Sequence, residues 1–475
     1  MRALLAAAVL LPVTASAFCG FYVSSAGADL FNDASVVVLM RDGTRTVLSM
    51  QNNYRGPTEN FALVVPVPVV LKKEMVKTLP KEVFTRVDTL ASPRLVEIFE
   101  EGECPPPPPM AMRSSVRERS AKGGLPKDLG VKVEAKFEVG EYEIVILSAK
   151  DALGLDIWLK ENKYKIPDGA APLLKPYVEG NWKFFVAKVN AKKVTFQNGQ
   201  AVLSPLRFHY DSESFTLPVR LGLMNSSGTQ DLIVTVLAKS RYEVANLKNV
   251  MVPTNVQLTP AAQPQFGGFY GELLTRTFGA NPNAVVTEFA WQGALPPPKV
   301  MTQQGIYGVT CDPCPPPHPM DDPMAKYLGA DVLPGLKDDE AIAKWASEAT
   351  MTRLHLRYSK DSLTDDLVLK AAEPVSGGIP EVTKTGPAKQ NRFQGRYIVK
   401  KPFDPNRCYA LWGRGGAPGG NVVPMGFNAQ LAGEGGNPAK AVALTEPIES
   451  LLLTDVPELA LKAKGKPPAG AKPKK

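Results

Sequence analysis

One pair of cysteines in this chain has a spacing that can do chemistry: Cys311-Asp312-Pro313-Cys314, with His318 following. A redox-active pair of this spacing draws its reactivity from a helix that begins at the first thiol, whose free amides lower the thiol pKa. Pro315, Pro316, Pro317 and Pro319 exclude that helix. Cys311, Cys314 and His318 also resemble half of a tetrahedral zinc set, but no second ligand pair stands nearby. The pattern therefore favours a disulfide that pins a proline-rich loop. Cys19, Cys104 and Cys408 complete a set of five disulfide candidates, and a monomer must leave at least one of them single. Their spacing alone does not give the pairing. The glycine run Gly413 to Gly420 lacks the preceding strand, following helix and Lys-Ser/Thr of a phosphate loop. No cofactor is expected.

Histidine is confined to His209, His318 and His355. His209, Asp211 and Ser212 offer the residue types of a hydrolytic relay, yet near neighbours on a strand cannot easily converge on one reacting atom. Arg353, His355 and Arg357 alternate with apolar residues and predict the solvated face of a strand. Their functional reading is an anion site for a glycan or lipid headgroup. Carboxylates brought together by folding leave no trace in sequence, so an envelope hydrolase using carboxylates or a metal is the alternative to a non-catalytic binding or structural module.

The start of the chain says where the protein goes. Arg2, the apolar run Ala3 to Val13 and Ala15-Ser16-Ala17 form a secretory signal peptide cleaved after Ala17. Phe18 is too bulky to precede a lipidated Cys19. No later segment has the apolar length of a transmembrane span. The expected destination is periplasmic or extracellular. The net charge of +8 is concentrated at the other end, in Lys462, Lys464, Lys466, Lys472, Lys474 and Lys475. Without these lysines and Arg2 the body is nearly neutral, which argues against nucleic acid as a partner. The tail predicts contact with an anionic envelope polymer or lipid.

These groups must be held by a body rich in Pro and Gly, with 44 and 39 residues respectively, which favours many short elements. Ser35 to Arg41 and Thr44 to Gln51 flank Asp42-Gly43 as a hairpin, and Asn198-Gly199 signals a second. Helices are expected over Pro80 to Ala91, from Ser92-Pro93 to about Gly102, and over Asp151 to Asn162, Gln265 to Phe278 and Lys337 to Ala349. Strands are expected at Phe61 to Val67, Val131 to Val139, Lys183 to Val189, Leu232 to Ala238, Val285 to Trp291 and Met351 to Tyr358, with Phe215 to Leu223 also alternating. The fold class is α+β, predominantly antiparallel sheet with inserted helices, in two or three subdomains. In order these are the leader 1–17, a hairpin and helix region 18–103, a mobile proline-rich linker 104–130 and a β-rich core 131–252. An α+β region 253–360, a Gly/Pro-rich region 361–461 and a disordered lysine tail 462–475 complete the chain.

Several stretches resemble a family of exported bacterial proteins grouped as domain of unknown function 2330. They are Cys19 to Val23, Met40 to Leu48, Phe61 to Pro68, Gly154-Leu155, Trp158-Leu159, Asn162, Tyr164, Ile166-Pro167, Trp182 to Val189 and Ser204 to Leu206. The resemblance implies export and a β-rich body, and it brings no catalytic residue, cofactor or ligand.

Overall fold

The computed structural model describes residues 21–24, 31–32, 35–51, 54–55, 61–99, 135–149, 152–161, 170–197, 200–225, 229–295, 324, 327–380, 382–402, 430–431 and 444–466. In chain order, a hairpin of β1 (Ser35–Asp42) and β2 (Arg45–Gln51) is followed by β3 (Phe61–Val67), α1 (Glu82–Ala91) and β4 (Arg94–Phe99). Then come β5 (Ala135–Val139), β6 (Tyr142–Ser148), α2 (Ala152–Glu161), α3 (Ala170–Glu179), β7 (Lys183–Val189), β8 (Leu206–Asp211) and β9 (Gln230–Ala238). The last part holds β10 (Asn249–Met251), β11 (Val256–Leu258), α4 (Phe266–Ala280), β12 (Val285–Gln292), α5 (Asp339–Glu348), β13 (Thr350–Tyr358), β14 (Arg392–Gln394) and β15 (Arg396–Lys401).

An eleven-stranded central sheet runs β14-β12-β13-β9-β1-β2-β8 through its middle. Every one of these neighbours is antiparallel except β9 and β1, which pair in parallel from Leu232 beside Ser35 to Ala238 beside Arg41. A five-stranded sheet, Phe21–Ser24, β3, β7, β6 and β5, packs against it. The period of two decides how the layers form. Val37 and Leu39 of β1 face the space between the sheets, with Leu63 and Val65 of β3 and Phe185 and Ala187 of β7. Val38 and Met40 face the opposite way, onto α1 and α5, with Val87, Leu90, Ile342 and Trp345. On the far side of the small sheet Val64, Phe184 and Val186 pack against α2 and α3 through Leu155, Leu159 and Leu174. Helices therefore cover both outer faces of a two-sheet sandwich. Strands buried on both faces must read as near-continuous apolar runs, and β3 and β7 do.

The class is the expected one, strand-rich and mostly antiparallel with inserted helices. Local differences have physical causes. The hairpin turns on Gly43-Thr44, because Asp42 pairs with Arg45, and Gly43 takes the positive φ of +56°. Ser92 does not open a second helix. Its amide donates to the Asp88 carbonyl at 2.8 Å and its hydroxyl to Asp88 Oδ1 at 2.7 Å, which ends α1. The chain then becomes β4, paired in parallel with β15 from Arg94 beside Arg396 to Phe99 beside Lys401. That pairing overrides the local helix signal. Pro218 and Gly222 break the alternating stretch 215–223 into a two-residue strand and a 3-10 turn, although its apolar side chains stay buried. Segments that succeed one another in sequence interleave in space, since β4 and β15 are neighbours and the central sheet draws strands from residues 35–394.

Asp366 holds the helical layer in place. Its carboxylate accepts from Tyr177 OH of α3 at 2.7 Å, from the Val219 amide at 2.9 Å and from Arg220 Nη2 at 3.2 Å. Two glycines distinguish an open turn from a close approach. Gly378 has φ +70°, and a Cβ there would lie 1.9 Å from the Gln394 carbonyl oxygen, whereas a Cβ on Gly43 meets nothing within 4 Å. We expect Gly43→Ala to cost about 1–2 kcal/mol, the left-handed penalty alone. Gly378→Ala should cost more than twice that, because β14 must move. Urea unfolding of the two variants checks the ranking.

Candidate functional site

Glu288 is the acid within the apolar run of β12, and the strand bulges at it. Thr287 pairs with Leu354 and Phe289 with Arg353, so Glu288 is the extra residue between them. On the other edge of β12, β10 pairs up to Thr287 and β14 takes over from Phe289. At the handover the Glu288 carbonyl accepts from the Gly395 amide at 2.9 Å. Alternation with Val286, which pairs with His355, already turns Glu288 toward the arginine and histidine of β13, and the bulge re-aims Phe289 onto that same side opposite Arg353.

From that point a chain of alternating charge crosses the sheet. Arg353 donates from Nε to Glu288 Oε2 at 2.6 Å and from Nη1 to Asp88 Oδ1 of α1 at 2.7 Å. His355 sets Nδ1 against Glu288 Oε1 at 3.1 Å and Nε2 against Asp231 Oδ1 of β9 at 3.2 Å. Arg357 grips Asp231 with two bonds, Nε to Oδ1 at 2.8 Å and Nη2 to Oδ2 at 3.0 Å. It reaches α4 through Nη1 to Thr275 Oγ1 at 2.9 Å. Tyr270 of α4 also donates to Glu288, and Phe278 of α4 lies edge-on to His355 and beneath Arg357. The polar chain thus ties α1 and α4 to three strands.

Burial makes this chain costly unless it is neutral. Glu288 and His355 are 0% exposed and Arg353 is 1% exposed. Both nitrogens of His355 face carboxylates, so only the doubly protonated ring satisfies both contacts. Protonation also balances three cations, Arg353, His355 and Arg357, against Asp88, Glu288 and Asp231. Burial opposes the charge on His355, but Glu288 and Asp231 outweigh it and raise the pKa above the ordinary histidine value. Burial likewise works against Glu288, yet His355 and Arg353 hold its carboxyl at about 2. Asp231 is held at about 2 against its own burial by His355 and Arg357.

An imidazolium with both N–H groups engaged has no lone pair to accept a proton, and Arg353 is locked between two carboxylates. The arrangement clamps three strands to α1 and α4. This corrects the expectation that Arg353 and His355 lie on a solvated face. The alternation is present, but β13 lies inside the sheet, with helices over its polar side and Leu354, Leu356 and Tyr358 in the core on the other. Arg357 alone of the three is partly exposed. Sequence reasoning missed Glu288, Asp231, Asp88 and Tyr270. A lone acid inside Val285 to Trp291 was the one legible signal.

His209 is half-buried beside Arg45 and Arg207, and burial first, then those charges, lower its pKa. Asp211 is taken by Arg45 through two bonds of 2.9 Å, and Ser212 faces Ser214, so no relay forms. Lys462 pairs with Asp455 at 2.7 Å, the Lys464 amide donates to the Glu449 carbonyl and the Gly465 amide to the Leu452 carbonyl. Residues 462–466 therefore follow the folded body, which corrects a disordered tail beginning at Lys462. Lys464 and Lys466 present exposed side chains. Cys19, Cys104, Cys311, Cys314, Cys408, His318, Lys472, Lys474 and Lys475 lie outside the described residues, as do the leader 1–17, the linker 104–130 and the glycine run 413–420. Among the described residues no group of three or more His, Cys, Asp or Glu side chains could hold a metal ion.

Removing one partner from a buried ionic chain strands the others, so Arg353→Met should destabilise the fold by about 3–5 kcal/mol, read by urea unfolding. The pH dependence has a sign on each side. His355 binds its proton more tightly when folded, so its contribution is complete below about pH 6.5 and declines as pH rises through its folded pKa. Glu288 and Asp231 contribute above about pH 4–4.5 and lose that contribution as pH falls toward their folded values. Unfolding free energy should therefore have its plateau between these limits, and His355→Gln should flatten the alkaline decline.

The bacterial family described as "uncharacterized protein conserved in bacteria", DUF2330, matches residues 13–370. No curated protein and no solved structure matches the chain significantly. The matched region contains β1 through β13, the helices α1 to α5 and every member of the buried charge chain, and the protein belongs to this family.

Proposed function

We propose that this protein is exported to a bacterial envelope, periplasmic or extracellular, and serves there as a non-catalytic binding or structural module. The observation that carries the non-catalytic half is the state of His355. It is the described histidine best supplied with carboxylates, and both its nitrogens are consumed in holding β9, β12 and β13 together. Export rests on the leader Met1 to Ala17 and its small-residue cleavage site. The partner we infer is an anionic envelope polymer or lipid, met by Lys464 and Lys466 at the edge of the body and by Lys472, Lys474 and Lys475 beyond it.

Intact-mass measurement of envelope protein should give a chain beginning at Phe18. Retention of Met1, or a diacylglycerol mass on Cys19, would refute export by this route. The partner is tested by ending the chain after Lys466, which removes three lysines and leaves the docked segment whole. The melting temperature should stay unchanged. Retention on anionic vesicles at low salt should weaken by up to about 3 kcal/mol, at roughly 1 kcal/mol per lysine, with less effect at physiological salt. Ending the chain after Leu461 should lower the melting temperature as well, since the bonds at Lys464 and Gly465 are lost. Retention indifferent to the shorter chain would leave the lysines a solubilising role only.

A further inference from the structure

The buried charge chain has a dry end and a wet end. Glu288 and His355 are wholly buried, whereas the side chain of Asp231 is 10% exposed and that of Arg357 is 21% exposed. The wet end is also the end that touches the second half of α4. Arg357 reaches Thr275 through Nη1 at 2.9 Å and lies 5.2 Å from the centre of the Phe278 ring, which is itself 5.8 Å from the His355 ring. At the dry end Arg353 bonds Asp88 of α1.

Several charged and titratable groups surround His355. β12 presents Glu288, β9 presents Asp231, and β13 itself carries Arg353 and Arg357. From α4 come Phe278 and Tyr270, which donates to Glu288, and from α1 comes Asp88, which acts on the ring through Arg353. Tyr397 of β15, beside Tyr270, donates its hydroxyl to the Pro253 carbonyl at 2.8 Å. The two charged residues of α4, Glu272 and Arg276, pair with each other at 2.7 Å.

A neutral imidazole keeps one N–H and turns a lone pair outward at its other nitrogen. That lone pair must face one of two carboxylates, and the chain is left with three carboxylates against two guanidiniums. The surplus settles where water can reach it, since a buried and unpaired charge is the costliest outcome. Glu288 cannot reach water, so it keeps the N–H of Nδ1, and Asp231 faces the bare Nε2 across 3.2 Å. Asp231 then turns outward with Arg357, which it holds by two bonds. Thr275 and Phe278, three residues apart on one face of the helix, lose their attachment to β13 together. The first half of α4 does not share this dependence, because Phe266, Phe269 and Tyr270 all pack against Tyr397.

We propose that His355 is a proton-operated latch: the charged ring holds residues 274–280 of α4 on the sheet through Asp231 and Arg357, and the neutral ring releases them while α1 stays fastened. The latch is complete below about pH 6.5, the ordinary histidine value, and is lost as pH rises through the folded pKa of the ring. Burial opposes the charge on that ring, but Glu288 and Asp231 outweigh it and place the folded pKa above the ordinary value.

The test uses the full chain with nitrogen-15 in its three histidines, assigned through His209→Gln and His318→Gln. Ring titration and tautomer are read by NMR, beside hydrogen exchange of peptides from α1 and α4 corrected for the intrinsic effect of pH on exchange. Neutral His355 should carry its proton on Nδ1. Across its titration the protection of residues 274–280 should fall about tenfold, the worth of one charge-assisted hydrogen bond, while residues 82–91 of α1 keep theirs. A ring that stays charged until the whole chain unfolds overturns the proposal, as does a neutral ring protonated on Nε2, which would keep Asp231 and free the wrong end. Protection of 274–280 that is indifferent to the titration, or a loss shared equally by α1, overturns it too. Thr275→Val removes the α4 end of the Arg357 bond at an exposed position. In that variant residues 274–280 should exchange faster below about pH 6.5 and the pH step should shrink. An undiminished step counts against the latch in the same way.

Discussion

Everything on the helix side of the central sheet depends on one constraint, that charge taken out of water must be balanced where it lies. Arg353 sits in the middle of the sheet with its guanidinium divided between Glu288 on the neighbouring strand and Asp88 on α1. Glu288 shares that charge with His355 and takes a bond from Tyr270, so the carboxylates fasten both α1 and α4 to the sheet. The apolar clusters under α1 and α5 and under α4 are largely separate, and the charge chain runs between strands and helices that belong to both. Apolar packing supplies attraction without direction. The ionic chain supplies the direction, because each of its bonds has a short length and a defined partner.

The bulge at Glu288 shows how the backbone serves this arrangement. An unbulged β12 would keep strict alternation, with Glu288 opposite Arg353 and Phe289 turned with Leu354 and Leu356 into the space between the sheets. The extra residue shifts the register by one and lets β10 hand over to β14 at the same point. One irregularity thereby serves two needs, the turning of Phe289 and Trp291 onto the helix side and the meeting of two short strands.

The two sides of the sandwich are built on different rules. Between the sheets the contacts are apolar, with polar side chains at the margins, so period two and apolar content suffice to specify them. On the helix side, polar residues of β13 stand where an apolar face would be the ordinary solution. Replacing the whole charge chain, acids included, by apolar residues of like volume would not by itself weaken the sheet, as buried ion pairs return little beyond their desolvation cost. What the charged solution adds is a definite register between β9, β12, β13, α1 and α4.

The sequence by itself determined the elements whose pattern is local. The hairpin at Gly43, the helices over α1, α2, α4 and α5, the strands β3, β7, β9, β12 and β13 and the strand-rich class all follow from periodicity and turn residues within short windows. Family membership was legible too, in motifs such as Met40 to Leu48 and Trp182 to Val189. Tertiary structure alone decided which alternating strand faces water. Arg353, His355 and Arg357 carry the pattern of a solvated face, and only the approach of Asp88, Asp231 and Glu288 from distant parts of the chain turns that face into an interior. The same holds for Arg94 to Phe99, where pairing with a strand three hundred residues away overrides a local helix signal. Periodicity records what a segment alternates, but the partner that makes a charge tolerable is specified by long-range contact, which no local window contains.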